Sequence, residues 1–396
     1  MKKPLKAKLP LVIETLLGLV LAAALGVGLY YGYRYYKNTT AQLMLLQSNK
    51  IKLDKNLKQI SGELTNLKKQ DQYLINKDLE GKISSIETTY DKSVMTYEKL
   101  LDLKTKTKNT IKFDEAFADI LTLLSKRNYS SAEADLDQLS RNIDAEKAKI
   151  AASFQIPASV PENNTPPGSG YQQQVVKSDV GDFLVGIVAA DLNSTRVVVD
   201  TASDSDCKND CPVSSLGDYV SRSGAFAGIN GSYFCPADYP SCSDKKNSFD
   251  TLVMNKNKKY INSDNNVYST VPAVIFSGNS ARFVGATSEW GRDTGVDAVL
   301  AMQPLLVSNG NVVFNSDGEP KRGSKGNRSF VGASGSTAYI GVVFNATVAE
   351  AAHVIKTMGI QNALNLDSGG STALWSNGYK AGPGRNLPNA LLFVSK

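Results

Sequence analysis

Asn365-Leu366-Asp367-Ser368-Gly369-Gly370-Ser371-Thr372 follows a helix-like segment, 348–358, and a short apolar run, 363–366. Helix, strand and turn in that order deliver one acid, Asp367, into a strand exit rich in glycine and hydroxyls. Glycine lets backbone N–H groups approach a ligand closely, and a nest of such groups suits an anion the size of phosphate. Ser368, Gly369, Gly370 and Ser371 are therefore candidate substrate-binding residues, and Asp367 beside them is the candidate acid, base or nucleophile. Taken alone, D-S-G-G more often marks a tight strand exit closed by an Asx-turn, so the neighbouring segments decide its meaning.

Around this stretch the hydrophobic pattern has period two. Runs at 183–190 and 195–199 are split by a turn at Leu192-Asn193-Ser194, and further runs lie at 271–275, 298–307, 338–344 and 390–394. One strong helix, 348–358, interrupts them. The pattern predicts an α+β fold: a globular domain with a mixed sheet over 174–396, within the size of one domain. Upstream, 154–173 is rich in Pro157, Pro161, Pro166, Pro167, Gly168 and Gly170, and reads as a linker.

Residues 39–153 contain no proline and read as an α-helical coiled-coil stalk. Leu46, Leu53, Leu57, Ile60, Leu64, Leu67 and Leu74 follow a 4-3 spacing interrupted by Lys50 and Asp71. A helix over 113–126 would place Phe117, Ile120, Leu121 and Leu124 on one stripe. Ser130-Ser131-Ala132-Glu133 has the form of a capping box opening a helix that runs to about 151. Such a stalk is expected to be a passive spacer, separable from the catalytic domain, and it leaves self-association open. In 1–38, Lys2, Lys3, Lys6 and Lys8 precede an apolar stretch, 16–31, that extends to spanning length if counted from Leu9, with Glu14 as a blemish. Tyr30, Tyr31, Tyr33, Tyr35 and Tyr36 form an aromatic belt at its far end. This predicts an uncleaved single-pass transmembrane anchor with its N-terminus inside and the C-terminal domain extracytoplasmic; a cleaved signal peptide ending near Ala22-Ala23-Ala24 is the alternative.

The net charge of +6 is unevenly placed. Residues 1–155 carry 25 Lys/Arg against 18 Asp/Glu, and the remainder 19 against 20. The C-terminal part is therefore no basic nucleic-acid binder. The single histidine, His353, lies in the 348–358 helix, which disfavours a Ser-His-Asp triad, a papain-like dyad and a histidine zinc site. Cys207, Cys211, Cys235 and Cys242 all fall in the exported domain and read as two disulfides. Of three connectivities, Cys207–Cys211 with Cys235–Cys242 is favoured because each pair brackets a short polar loop. Their spacings fit a zinc site poorly. No organic cofactor is expected; acidic stretches such as Asp204-Ser205-Asp206 leave room for a divalent cation without an EF-hand spacing.

Four segments line up in order: Gly228-Ile229-Asn230-Gly231-Ser232-Tyr233-Phe234, Asn327-Arg328-Ser329-Phe330-Val331-Gly332, Asn365 through Thr372, and Gly384-Arg385-Asn386-Leu387-Pro388-Asn389-Ala390. Together they resemble the phosphodiester glycosidase family, whose patterns are N-G-G-Y-F, R-T-x-x-G, N-L-D-G-G-G-S and G-R-x-x-P-N-A. The resemblance covers about 175–396 and implies cleavage of the sugar–phosphate bond of a glycosyl 1-phosphodiester; together with the predicted export and tether it makes a sugar-phosphate polymer or glycan of the cell envelope the expected partner. It departs at Ser232, Ser329 and Ser368, where the family has Gly, Thr and Gly. A serine at 368 would be strained if that position requires positive φ. That departure supports a rival reading, a non-catalytic glycan- or phosphate-binding module.

The residue chemistry agrees in kind. Arg328 offers an always-charged fork suited to bidentate phosphate binding. Asn230, Gly231, Arg385 and Asn389 are the remaining candidate substrate contacts: Asn230 for a sugar hydroxyl or acetamide, Arg385 for a second phosphate oxygen. Tyr233 reads as a sugar platform or as core. Glycoside hydrolysis usually needs a second carboxylate, for which Asp250 and Glu289 are candidates.

Overall fold

The computed structural model describes residues 9–264, 269–291 and 295–396, with side chains from Thr15 onward except at Asp71. The tip lysines Lys2, Lys3, Lys6 and Lys8 lie outside the described residues. By its contacts the chain divides into two units, Met1–Ser85 and Ile86–Lys396.

In the first unit, helix α1 (Leu9–Lys68) runs unbroken for 60 residues. It is the one described helix long and apolar enough to cross a membrane. Helix α2 (Asp71–Lys104) follows a short turn, and the unit boundary falls within it. The 4-3 leucines of α1 are exposed: Leu53, Leu57 and Leu64 are all at least half accessible. The expected coiled-coil seam therefore has no partner helix in this chain's first unit.

The second unit opens with the rest of α2, then α3 (Ile111–Ser125) and α4 (Tyr129–Ala152). Their buried stripes are Thr89, Ser93, Thr96, Leu100 and Leu103 on α2, and Ala132, Leu136, Leu139 and Ile143 on α4. Both have the 4-3 spacing that keeps one helix face turned to a neighbour. Phe113, Ile120 and Leu124 of α3 complete this core, whereas Leu121 faces solvent. Asn128 caps α4 by accepting from the Ser131 amide at 3.3 Å, so the N-cap lies two residues before the Ser130 capping box read from sequence. Lys92–Glu133 and Lys99–Asp144, each at 2.6 Å, zip α2 to α4.

The helices are not a detached spacer in this unit. Asn345 donates to the Ala151 carbonyl at 2.9 Å, Lys106 to that of Lys325 at 3.0 Å, and the Ser241 amide to Glu98 at 3.0 Å. Nor is 154–173 a free linker. The first strand of the sheet domain already begins at Gly170, and the preceding proline-rich chain is tied to it by Asn163 N–H to Val175 O and by Gln174 to the Asn163 and Thr165 carbonyls.

Three sheets follow. The largest has seven strands in the order Gly170–Ser178, Gly181–Asp191, Thr337–Ala346, Gly326–Ser334, Asn362–Asn365, Leu305–Ser308 and Asn311–Val312. The second is ordered Tyr379–Ala381, Leu374–Ser376, Ala227–Asn230, Asn389–Ser395 and Thr195–Thr201. The third contains Tyr260–Ile261, Val253–Met254, Ala298–Ala301, Ala273–Ser277 and Ser280–Val284. The fold is α+β, but every described ladder is antiparallel rather than mixed. Short connections join six of these pairs, among them Gly170–Ser178 with Gly181–Asp191 and Gly326–Ser334 with Thr337–Ala346, and a short connection requires antiparallel pairing. The apolar run 298–307 is divided between two sheets, with Pro304, which has no N–H to give, at the break.

Alternation along the strands sets the layers. Val188, Val331, Ile340, Val342 and Leu364 face the second and third sheets, meeting Ile229, Leu391, Phe393, Val274 and Leu300. The intervening Ile187, Phe330 and Val343 face the opposite way, against Ala351, Ala352 and Ile355. Those three belong to helix α7, which is opened by a Thr347/Glu350 capping box; two shorter helices are α5 (Leu216–Ser223) and α6 (Pro320–Gly323), and α7 itself is Val348–Thr357. Helix α7 carries the chain over the strand Gly326–Ser334 and returns it as Asn362–Asn365, which leads to Asp367.

Candidate functional site

The site begins with strand register. Phe330 pairs with Asn365, and the Leu366 amide donates to the Ser329 carbonyl at 2.9 Å. Continuing that antiparallel register sets Arg328 opposite Asp367. Both line one cleft of about 450 Å³.

Beyond Asp367 the chain turns through Gly369, whose φ of +64° is the left-handed value glycine accepts freely. Ser368 has φ −141°, ordinary extended backbone. The strain expected of a serine there is absent, because the positive φ falls one residue later. Its hydroxyl instead donates to Leu366 O at 3.1 Å and accepts from the Ser329 amide at 3.3 Å. The Ser368 amide donates to Asp367 Oδ1 at 2.8 Å. Burial nevertheless dominates at Asp367, raising its pKa to about 6 against the opposing pull of Ser371, the Ser368 amide, Arg385 and Lys321.

Three segments hold this turn from beneath. Asn230 is fully buried; its Nδ2 donates to Asp367 O at 2.6 Å, and its Oδ1 accepts from Ser329 Oγ at 2.8 Å and Ala373 N at 3.1 Å. Its amide is thus spent on the scaffold, and the expected sugar contact is replaced by a clamp between three strands. Asn389 is equally buried, accepting from the Ser232 amide at 2.9 Å. A Cβ on Gly231 would stand 1.9 Å from Asn389 Oδ1, so the glycine is required by the asparagine. The Gly231 carbonyl accepts from the Asp367 amide at 3.0 Å. Asn230, Gly231 and Asn389 are therefore brought together beneath the cleft rather than within it.

Arg328 is also less free than its sequence implied. Its Nε donates to Ala346 O at 2.9 Å, and its Nη2 to Lys321 O at 2.9 Å and to Ser324 O. These bonds use three of a guanidinium's five donors and staple the short helix α6 and its C-cap Ser324, which wall the cleft. Nη1 is the edge these bonds leave over, so the geometry offers a ligand one nitrogen rather than the two-nitrogen fork expected from sequence. Burial lowers its pKa from the usual guanidinium value.

Arg385, Ser371 and Gly369 line the cleft with Asp367. The Arg385 amide donates to Gly370 O at 3.0 Å, and a Cβ on Gly370 would come within 2.7 Å of the Arg385 guanidinium. Asp250 and Glu289 are both exposed and lie outside the cleft; Glu289 accepts from the Gly285 amide at 3.2 Å. The carboxylates that line it besides Asp367 are Glu98, Asp102 and Glu319. His353 faces Asp179 at 3.0 Å and is not among the lining residues.

Further residues line the cleft, among them Tyr233, read from sequence as a sugar platform or as core. Tyr233 accepts from Asn365 Nδ2 at 2.8 Å, and burial together with the Asp367 charge pushes its phenol up to about 12. Tyr239 donates to Asp102 of α2 while Lys321 and Arg385 lie over its ring at 5.3 and 5.4 Å. Cys235–Cys242 closes the loop that carries Tyr239, and Cys207–Cys211 is the second disulfide. Thr105 and Lys106 directly follow the end of α2, and Lys147 lies on α4. Periodicity assigns them to helix ends and faces but not to a cleft more than 200 residues away in sequence. Among the described residues no group of three or more His, Cys, Asp or Glu is placed to hold a metal ion.

Residues 223–394 match the family model described as phosphodiester glycosidase. No curated protein sequence matches the chain. The chain is distantly similar to several solved structures, among them these two. A hypothetical protein from Synechocystis has 13% identity and a TM-score of 0.39, over 57% of this chain and 62% of that one. The chain thus spans somewhat less than two thirds of that structure. The catalytic domain of zebrafish N-acetylglucosamine-1-phosphodiester alpha-N-acetylglucosaminidase, auto-inhibited by its pro-peptide, has 13% identity and a TM-score of 0.45, over 60% of this chain and 87% of that one. Residues 223–394 of this chain form a domain of the phosphodiester glycosidase family.

Proposed function

We propose that the chain hydrolyses the glycosyl–phosphate bond of a sugar 1-phosphodiester. The observation that carries this reading is a buried carboxylate, Asp367, sharing one cleft with three cations, Arg328, Arg385 and Lys321, of which Arg385 and Lys321 act on it electrostatically. Water adds across the sugar C1–O bond; the products are a free sugar and a phosphate monoester. A phosphate monoester leaves readily, so the main demand is to stabilise the charge it develops. Arg328 Nη1, Arg385 and the amides of the Gly369–Gly370 turn serve that demand. Asp367 acts in its ionised form, as base toward water or as nucleophile, and a pKa near 6 leaves it mostly ionised at neutral pH. With Ser368 in extended backbone, the strain argument for a non-catalytic module no longer stands.

The same reading places the enzyme outside the cytoplasm. The apolar part of α1 serves as a single-pass anchor with its N-terminus inside, and the two disulfides suit an oxidising compartment. Envelope glycans or sugar-phosphate polymers are then the accessible substrates.

The test uses the full chain in detergent with a panel of sugar 1-phosphodiesters, reading free sugar by mass spectrometry. Release by the wild type that is lost in Asp367→Asn supports the proposal. No release from any substrate, with binding retained, overturns it in favour of a binding module.

A further inference from the structure

The cleft is richer in positive charge than one phosphodiester needs. Lys106, Lys147, Lys321, Arg328 and Arg385 all line it. Its other two cations are already matched: Arg322 pairs with Asp317 at 2.7 Å and Lys325 with Glu350 at 2.6 Å. Lys147 has only a loose partner, Asp102 at 3.8 Å, and Asp102 also accepts the Tyr239 hydroxyl. Lys106 reaches a backbone carbonyl, that of Lys325, and among the described residues no carboxylate pairs with it.

The position of these two lysines is as telling as their charge. A side chamber of about 290 Å³ adjoins the cleft, and Thr105, Lys106, Lys147, Lys325, Gly326 and Gly369 line both. Lys106 and Lys147 thus stand where the two spaces meet. The chamber is continued by Ile150, Ala151 and Phe154 of the helical layer and by Asn327 and Asn345 of the large sheet. The ligand space is therefore a groove that leads away from Asp367 between helices and sheet. Burial and their mutual repulsion lower the pKa of Lys106, and burial lowers that of Lys147. An anion between them would relieve both costs.

Resting on the glycosidase reading above, we propose that Lys106 and Lys147 bind a second anionic group of the substrate, one repeat away from the scissile bond. The preferred substrate is then a chain of repeating phosphodiesters bearing the sugar, rather than an isolated sugar phosphodiester. The helical layer α2–α4 is the element that confers this preference.

The experiment compares two substrates that share the same terminal sugar: a methyl phosphodiester and an oligomer with several phosphodiester repeats. The ratio of their kcat/KM values is measured for the full chain and for Lys106→Gln/Lys147→Gln. The oligomer-to-monomer ratio is expected to fall about tenfold or more in the double variant, chiefly through KM, because charge-assisted contacts are lost. Lys106→Arg/Lys147→Arg should restore most of it, which separates charge from packing. A ratio that is unchanged, or equal losses on both substrates, overturns the proposal. If the wild type releases sugar from neither, the glycosidase reading fails, and the subsite is judged by calorimetric titration of the same oligomer and monomer. There, tighter oligomer binding that is lost in the double variant supports the second-anion site, and equal affinities overturn it.

Discussion

The two walls of the cleft are built on opposite principles. On the sheet wall the key side chains are tied down: Asn230 uses both ends of its amide, Arg328 three donors, and Gly231 and Asn389 fit against each other without room for a methyl group. On the helical wall, Lys106 and Lys147 hold one carbonyl and one loose carboxylate between them. The first wall is preorganised, so its substitutions should damage stability or chemistry. The second is adjustable, so its substitutions should alter substrate preference and little else.

The sharpest way to break this comparison is Asp367→Asn. Turnover should fall by about 10³-fold, in the range for loss of an essential acid–base group. In the wild type, log kcat/KM should rise with pH and level off above an apparent pKa of about 6. Stability should move the other way. A carboxyl whose folded pKa lies above its unfolded value contributes fully below the unfolded pKa and loses that contribution as pH rises through the folded one. The variant should therefore gain on the wild type in urea unfolding between pH 4 and pH 8, by about 1–3 kcal/mol. A variant that keeps its activity would remove Asp367 from the chemistry.

Removing residues 86–153 should leave the sheet domain without one side of its cleft and without the polar contacts of Glu98, Asp102, Lys106 and Ala151. Loss of at least tenfold in kcat/KM on an oligomeric substrate is expected, measured beside circular dichroism. Full activity after that deletion would return the helices to the role of passive spacer. Next comes Gly231→Ala, whose added carbon meets Asn389 Oδ1 at 1.9 Å. It should cost about 3 kcal/mol, as overpacking of a tight interior does, read from the urea midpoint.

Asn230→Ala should cost about 2 kcal/mol, because Ser329 Oγ, Ala373 N and Asp367 O each lose a buried partner. The smallest effect should come from Ser368→Gly, which restores the family residue: within about 1 kcal/mol of wild type by thermal melting, with turnover changed less than threefold. A large gain in activity would mean that the serine, not the backbone, limits the site.

Legibility followed the range of the forces involved. Strand runs at 183–190, 338–344 and 390–394 and the helix at 348–358 were readable because alternation and helical period are local properties of side chains. Asp367 was readable because its turn chemistry sits within eight residues. Arg328 was found as a cleft residue, but its three carbonyl partners, two on the 321–324 segment and one at the end of the strand Thr337–Ala346, are not revealed by any spacing. The 4-3 leucines of α1 meet no partner helix within the first unit, and the same spacing passed unnoticed at 89–103, where threonine and serine occupy three of the five buried positions. Periodicity reports which residues share a face, not what that face meets.

The sequence by itself determined the α+β sheet domain, the apolar N-terminal helix, two disulfides among four cysteines and the four segments that carry the family resemblance, since each is written in neighbouring residues. Only the tertiary structure decided that Asn230 and Asn389 are clamps, that Ser368 is unstrained, and that α2–α4 close the cleft with Lys106 and Lys147. Those outcomes depend on which distant backbone atoms meet a side chain once the sheets and helices pack, and burial then fixes both the hydrogen-bond partners and the pKa of Asp367.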